Sequence, residues 1–463
     1  MTSIIILSLT GLFSMIVGLF KVNEKLILGI LVAALMVCGG FLVSDWNSEY
    51  TYFNDMVYFD NYALAFSTVL IFITVLVFFL SEHHFQQVKE YVTEQYALII
   101  FSLIGMIIIV SFDHLAMLFV GIEIMSIPLY ILAGSKKKDL ASNEASLKYF
   151  LMGAFATGLL LMGITLIYGA TGSFSLDKIA EVISTTPNFI QNPLLIGGLL
   201  LILSGLGFKV SAAPFHFWTP DVYQGSPTWV TSFMSTAVKL AGFAAFFRLF
   251  TNCFLPLGDV WSGIISVMAA VTISIGGISA VFQTSLKRIL AYSSISHAGY
   301  MLIVLLLNNE NAGNGLLFYG LTYSIASIVA FAIAGAVEKI TGSDSVDSFN
   351  GLGKSHPFLA IFMTLSMLSL AGIPLTGGFF AKFYILSSGI EAGYLWLMLI
   401  AIVNAIIGIY YYFKVIIAMF FKEDSKDVLS KVSVSIFFMV VLAICSILTV
   451  QLGLFPDLVY YLF

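Results

Sequence analysis

The chain has 463 residues, 60% of them hydrophobic and only 10% charged, with a formal net charge of −5. Ordinary soluble domains carry about 45–50% apolar and about 25% charged residues, so these proportions exclude a water-soluble globule and indicate an integral membrane protein. Cys38, Cys253 and Cys445 lie far apart in apolar runs, which offers neither a disulfide framework nor a zinc site.

An apolar run of about 17–25 residues crosses a bilayer as a helix, and such runs recur from end to end with short polar joints. In chain order the predicted spans are 3–20, 26–43, 61–81, 95–112, 114–133, 146–169, 192–218, 229–250, 258–283, 287–307, 315–338, 357–387, 393–420 and 432–454. The expected fold is therefore an all-α polytopic membrane protein of about 14 transmembrane helices. The first run has no basic residue ahead of its apolar core and no cleavage pattern, so it reads as a retained helix.

The seventh and twelfth spans each carry a break. In "LGFKVSAAPFHFW" (206–218), Pro214 lacks an amide hydrogen and clashes with the carbonyl of Val210, so the helix opens beside Lys209. In "LAGIPLTGGFFAKF" (370–383), Pro374, Gly377 and Gly378 precede Lys382 by one to two turns. Two interrupted helices five spans apart, each with a lysine, point to an internally repeated transporter with sites near the midplane. The odd offset inverts the second copy. The expected division is 1–94 for the first three spans, 95–250 for the first five-helix repeat (spans 4–8), 251–420 for the second (spans 9–13) and 421–463 for the last span.

Basic residues sort into alternate loops. One set holds Lys21, Lys25, Lys89, Lys136, Lys137, Lys138, Lys287, Arg288, Lys339, Lys354, Lys422, Lys426 and Lys431, and the other only Lys178, which places both termini outside. Arg248 and Lys414 lie near helix ends, where a long side chain is expected to snorkel to the interface. Lys148, Lys209, Lys239 and Lys382 remain within or close to spans.

A charge at the centre of a membrane helix costs about 2.5–3.5 kcal/mol on insertion scales, so an intramembrane ionisable residue is a functional candidate. Glu123 lies deep in span five, Lys209 in span seven and Lys239 at the middle of span eight. The competing reading is an ion pair that only fixes helix packing. Lys148 lies one turn after Glu144 on the same face, where it serves equally well as an interfacial anchor. His216 and His297 are further proton-relay candidates, since histidine titrates near neutrality, although a lone helix histidine is often a hydrogen-bonded core residue. Burial disfavours a lysine's charge and a neighbouring carboxylate favours it, so changing the neighbour loads or unloads a proton. No nucleotide-binding loop and no cysteine cluster is present to supply energy.

The stretches "FKVSAAPFHFWTPDVYQGSPT" (208–228), "SLKRILAYSSISHAGY" (285–300) and "LAGIPLTGGFFAKF" (370–383) resemble the antiporter-like proton-pumping subunits of respiratory complex I, a family shared with multisubunit cation/proton antiporters. The resemblance covers essentially the whole chain. It implies that Glu123 and Lys209 form a charge pair, that Lys239 continues a central axis, that Lys382 is the terminal residue towards the outer exit, and that Glu144 and Lys148 occupy positions family members use. It also implies a subunit of a bacterial NADH:quinone oxidoreductase, seated in the lipid of the inner membrane beside other antiporter-like and small quinone-proximal membrane-arm subunits. Quinone, FMN and iron–sulfur clusters would then reside in partner subunits, with no cofactor on this chain and no role for nucleic acid. The absence of a long extension after the last span, and a lysine at 382, resemble the smallest member of the family. A sodium/proton antiporter subunit is the alternative. A haem subunit is disfavoured because the histidines offer no spaced mid-membrane pair.

Overall fold

In lipid a backbone must satisfy its own hydrogen bonds, and helices do so along every apolar run of this chain. The computed structural model describes residues 1–20, 23–85, 91–186, 191–307, 309, 311–423, 429 and 434–460, with backbone alone at 82–84 and 460. Lys21, Lys89, Lys426 and Lys431 lie outside the described residues. The helices are α1 (Thr2–Val17), α2 (Glu24–Ser44), α3 (Asn61–Phe85), α4 (Val92–Val110), α5 (Leu115–Ala133), α6 (Leu140–Thr171), α7 (Leu176–Thr185), α8 (Pro193–Lys209), α9 (Trp218–Gly225), α10 (Thr228–Phe233), α11 (Lys239–Arg248), α12 (Gly258–Val281), α13 (Leu286–Val304), α14 (Ala312–Thr341), α15 (Leu352–Ser355), α16 (Pro357–Ala371), α17 (Gly377–Glu391), α18 (Leu395–Phe421), α19 (Ile436–Leu454) and α20 (Asp457–Tyr460). Ten helical stretches are long and apolar enough to cross a membrane, and α1, α8 and α16 are shorter apolar helices. Among the described residues each of the fourteen predicted spans falls largely on helix.

One element departs from the all-helical expectation. Strands β1 (Tyr50–Tyr52) and β2 (Val57–Phe59) form an antiparallel hairpin in the loop after α2. Asn54 and Asp55 take positive φ at its tip, which their short polar side chains tolerate.

The expected breaks are present, with corrections to their extent. Span seven ends as helix at Lys209 and resumes at Trp218, and span twelve is divided between α16 and α17. Gly377 and Gly378 do not break the helix. They begin α17, and the opening lies at 372–376, where Gly372 and Leu375 have positive φ. Gly378 serves close packing instead: a Cβ there would lie 1.9 Å from the Ser369 carbonyl oxygen.

A duplicated turn marks the internal repeat. After α6, Gly172 takes φ +71, the Ser173 amide donates to the Thr171 hydroxyl, and Leu176 and Leu115 amides exchange bonds with the Asp113 and Phe174 carbonyls. After α14, Gly342 takes φ +69, the Ser343 amide donates to the Thr341 hydroxyl, and Val346 and Leu286 amides bond the Thr284 and Asp344 carbonyls. An odd number of spans separates the copies, so they occupy opposite ends of the bundle. The second copy lies beside Lys287 and Arg288, at the end that also carries Lys136–Lys138, called here the basic end.

The α10–α11 region and α14 are almost wholly buried. Large apolar side chains of α6 and α18 face outwards, with Phe155 69% and Phe421 80% exposed. Lys239 thus sits in a shielded interior region, whereas α6 and α18 present apolar side chains outwards.

Candidate proton-transfer axis

Lys209 is the last residue of α8 and is buried. Its Nζ donates to Ser126 Oγ at 2.8 Å and Tyr130 OH at 3.3 Å, both on α5. Helix α5 is held in register by α4: Ser102 donates to the Met125 carbonyl at 2.8 Å, and a Cβ on Gly105 would lie 2.3 Å from the Met125 nitrogen. Trp218, opening α9, stacks on Tyr149 and Phe208 and donates to the Phe208 carbonyl at 3.1 Å, so it bridges the break. The Ala213 amide is anchored to Thr272 on α12 at 2.8 Å. Pro214 lies within this opened stretch. His216 lies there too, buried, and its Nδ1 has no hydrogen-bond partner among the described residues. Buried polar atoms of Ser211, Thr219 and Ser226 share that condition, which ordered water commonly meets.

Glu123 is on α5 one turn before Ser126, half-buried, on the side where Val120 and Ile127 are exposed. Among the described residues no ion pair joins it to Lys209. The rotation of α8 aims the ammonium at the Ser126 and Tyr130 hydroxyls, and the Glu123 carboxylate acts on it at longer range.

Lys239 is buried and follows directly on a π-helical turn, Met234–Val238. Such a turn widens the helix and re-aims the next side chain, and π-bulges concentrate at functional sites. The Lys239 ammonium donates to the Ser294 carbonyl at 2.9 Å and to the Ser294 hydroxyl. Ser294 begins a polar stripe on α13. His297, one turn on, bonds Tyr319 OH through Nδ1 at 2.7 Å and Tyr412 OH through Nε2 at 3.2 Å. Tyr412 OH also bonds the Ser293 hydroxyl. Tyr300, the next on that face, presents its ring 5.3 Å from Lys382 Nζ.

Lys382 is buried and donates to the Leu370 and Ala371 carbonyls at 2.8 and 3.0 Å. These belong to the last turn of α16, whose carbonyls have lost their helical partners and carry the negative end of the helix dipole. The bend at Pro374 turns α17 back so that its lysine caps α16. A void of about 10 Å³, one water in size, lies between His297, Tyr319, Ser369 and Gly378.

At the basic end, Lys148 bonds Glu144 at 2.8 Å and Asp221 at 2.7 Å, and the other Asp221 oxygen takes Arg288 at 3.0 Å. Despite partial burial, the Lys148 and Arg288 partners hold the Asp221 carboxyl below its usual range. Lys287 pairs with Glu338 at 2.8 Å. Glu144, Lys148, Asp221, Lys287 and Glu338 line a cavity of about 430 Å³. Lys287 and Arg288 look like solvated loop anchors in the sequence, yet Lys287 is buried. Asp221, Arg288 and Glu338 were legible only as loop charges, because their pairing depends on the fold bringing α9, α13 and α14 together. Arg248 is also corrected. It does not snorkel but is buried at the opposite end, bonded to Asp60 at 3.1 Å and the Phe112 carbonyl at 2.9 Å, which clamps the hairpin to the α4–α5 loop. Lys414 instead bonds the Gln283 carbonyl at 2.8 Å.

Residues 111–408 match the family described as NADH:quinone oxidoreductase/Mrp antiporter, TM. NADH-quinone oxidoreductase subunit N of Cytophaga hutchinsonii is 44% identical over 458 residues, covering 99% of this chain and 98% of that protein. The chain belongs to the subunit N family of NADH-quinone oxidoreductase. A chain of respiratory complex I from Thermus thermophilus with bound aureothin superposes with a TM-score of 0.84 at 31% identity, over 99% of this chain and 98% of that one. A chain of the Mrp complex from Dietzia sp. DQ12-45-1b gives 0.87 at 21% identity, over 99% and 95%, which shows a common fold. A subunit N family member is a membrane subunit of an oxidoreductase complex, and this chain holds buried lysines on the elements just described.

Proposed function

We propose that this chain translocates protons across the membrane as a membrane-arm subunit of a bacterial NADH:quinone oxidoreductase, through Glu123, Lys209, Lys239, His297 and Lys382. The observation that carries this reading is the α13 stripe. Ser294, His297 and Tyr300 follow one another along α13 between Lys239, which bonds Ser294, and Lys382, which lies against the Tyr300 ring, with His297 bonded to Tyr319 and Tyr412 between them. An ammonium held only by hydroxyls and carbonyls is easier to discharge than one locked to a carboxylate.

Protons enter from the cavity of Glu144, Lys148, Asp221 and Lys287 at the basic end, which faces the cytoplasm with both termini outside. The opened stretch around Pro214, with His216, joins Lys209 to that cavity. Lys382 hands its proton on through the opening at 372–376. The driving step is quinone reduction in partner subunits, which carry the FMN and iron–sulfur clusters. The neighbours are the other antiporter-like and quinone-proximal membrane-arm subunits. Residues 95–250 and 251–420 form the two inverted repeats, between 1–94 and 421–463. The subunit N match favours this reading over a sodium/proton antiporter.

The test is Lys209→Ala and Glu123→Ala in the assembled complex. Both sharply reduce NADH-driven proton uptake into inverted vesicles while electron transfer to a hydrophilic artificial acceptor persists. Wild-type pumping in both variants rejects the route.

A further inference from the structure

Helix α9 (Trp218–Gly225) is the short far half of the broken seventh span, and the stretch 210–217 that joins it to α8 is not helical. A segment joined so loosely takes its orientation from the side chains that grip it. At its start, Trp218 bears on the turn that carries Lys209: the indole donates to the Phe208 carbonyl at 3.1 Å, and the ring stacks on Phe208 and Tyr149. Further along, α9 is gripped from several sides. The Lys148 ammonium of α6 donates to one Asp221 oxygen at 2.7 Å, and the Arg288 guanidinium of α13 donates to the other at 3.0 Å. Arg288 also donates to the Gln224 side-chain oxygen at 3.2 Å, and the Gln224 side-chain nitrogen donates to Asp344 at 3.1 Å. The Lys287 ammonium reaches the Gln224 carbonyl at 3.4 Å, in the last turn, where the helix dipole favours a cation. Gly225 lets this end lie close on α6, since a Cβ there would meet the Ala141 carbonyl oxygen at 2.4 Å.

Given that Lys209 passes protons as proposed above, we infer that Asp221 is its positioning residue: it sets the rotation of α9 by holding Lys148 and Arg288 with its two oxygens, and Trp218 transmits that setting to the end of α8. Despite partial burial, the two cations hold the Asp221 carboxyl below its usual range, so it stays charged while protons pass and acts as an anchor, not a carrier. The pairs face the basic-end cavity, with the Asp221 side chain 41% exposed, so solvent screening leaves them little part in overall stability. What they supply is direction. Two cations from different helices fix the angle of one carboxylate, and α9 carries any rotation over its eight residues, about 12 Å, to Trp218. Misplacing a reacting group by about 1 Å costs about 100-fold in rate, so a small turn of α9 is felt at Lys209.

The test measures the initial rate of NADH-driven proton uptake into inverted vesicles, with the amount of assembled complex determined for each variant. Asp221→Asn keeps the shape of the side chain and removes its charge; the complex assembles, and pumping falls at least about tenfold. Asp221→Glu keeps the carboxylate and restores pumping to within about threefold of the wild type. Trp218→Phe keeps the stacking, removes the indole donor and lowers pumping as well. Because both residues act on one path, Asp221→Asn combined with Trp218→Phe pumps no more slowly than Asp221→Asn alone. A merely structural Asp221 gives losses that track the amount of assembled complex and multiply in the double variant. Pumping within about twofold of the wild type in Asp221→Asn, no recovery in Asp221→Glu, or multiplying losses overturn the assignment. If Asp221→Asn fails to assemble, Arg288→Lys decides. It keeps the charge but loses the fork that reaches Asp221, Gln224 and Gln283 together, so pumping falls several-fold, and wild-type pumping overturns the assignment. Lys209→Ala is measured beside them: wild-type pumping there rejects the proton route and the anchor with it, whereas a loss there with normal pumping in Asp221→Asn rejects the anchor alone.

Discussion

His297→Phe separates a relay from a packing role, because the two predict different magnitudes. Phenylalanine keeps the ring beside Tyr323, whose centroid is 4.8 Å away, and removes both ring nitrogens. Tyr412 retains Ser293, so the main loss is the Tyr319 hydroxyl, left without its histidine partner. An unsatisfied buried hydroxyl costs about 1–3 kcal/mol, which a protein with this much buried surface survives. Removing a positioned proton-transfer group costs about 10²- to 10⁴-fold in rate. The expected outcome is a normally assembled complex with slightly lower thermal stability and proton pumping reduced at least about a hundredfold. Inverted vesicles energised with NADH and followed with a pH-sensitive dye measure the pumping, and electron transfer to a hydrophilic acceptor measures the intact redox arm. Tyr412→Phe, which removes one link and leaves Tyr319, is milder. Pumping within about twofold of wild type in His297→Phe refutes the relay through α13.

Asp113, in the loop between α4 and α5, is raised from 3.8 to about 6 by burial and then by the charge of Asp177. Its ionised form is disfavoured by folding, so the stability it contributes is fully present below pH 3.8 and is lost as pH rises through about 6. The unscreened shift corresponds to about 3 kcal/mol, and partial exposure reduces this to roughly 1. Asp113→Asn therefore raises the apparent thermal midpoint at pH 7 and leaves it unchanged near pH 4, and a uniform effect at both pH values contradicts the assignment. Gly378→Ala puts a methyl 1.9 Å from the Ser369 carbonyl oxygen, forcing α17 away from α16. Overpacking of this kind costs about 1–3 kcal/mol, and Lys382 loses its carbonyl partners, so both the thermal midpoint and pumping drop. Wild-type values for both show that the two half-helices do not meet as described.

The fourteen spans and both broken helices were legible in the sequence because lipid leaves the backbone few choices and proline acts locally. The lysines stood out for the same reason, since charge in an apolar run is conspicuous. Their partners did not. Lys209 meets Ser126 and Tyr130, and Lys382 meets backbone carbonyls, because helix rotation and the bend at Pro374 decide these contacts. Serine and tyrosine are ordinary in membrane helices, so the α13 stripe looked unremarkable apart from His297. The π-helical turn before Lys239 has no signature in "MSTAVKL" and arises from packing. The hairpin at 50–59 was hidden in a short polar joint, where alternation over three residues cannot be read. Lys287 read as a loop charge and Arg248 as an interfacial anchor, because periodicity fixes depth along a helix but not the neighbour that covers it.

Lys239 has its ammonium bonded to Ser294 and sits at the start of the stripe leading to Lys382, so Lys239→Met is the most direct probe of proton passage through buried lysines. Purified complex reconstituted into liposomes, with protons moved per NADH oxidised as the quantity measured, gives a reduced ratio in the variant if the account is right. A ratio equal to that of the wild type, in a variant shown to be fully assembled, contradicts it.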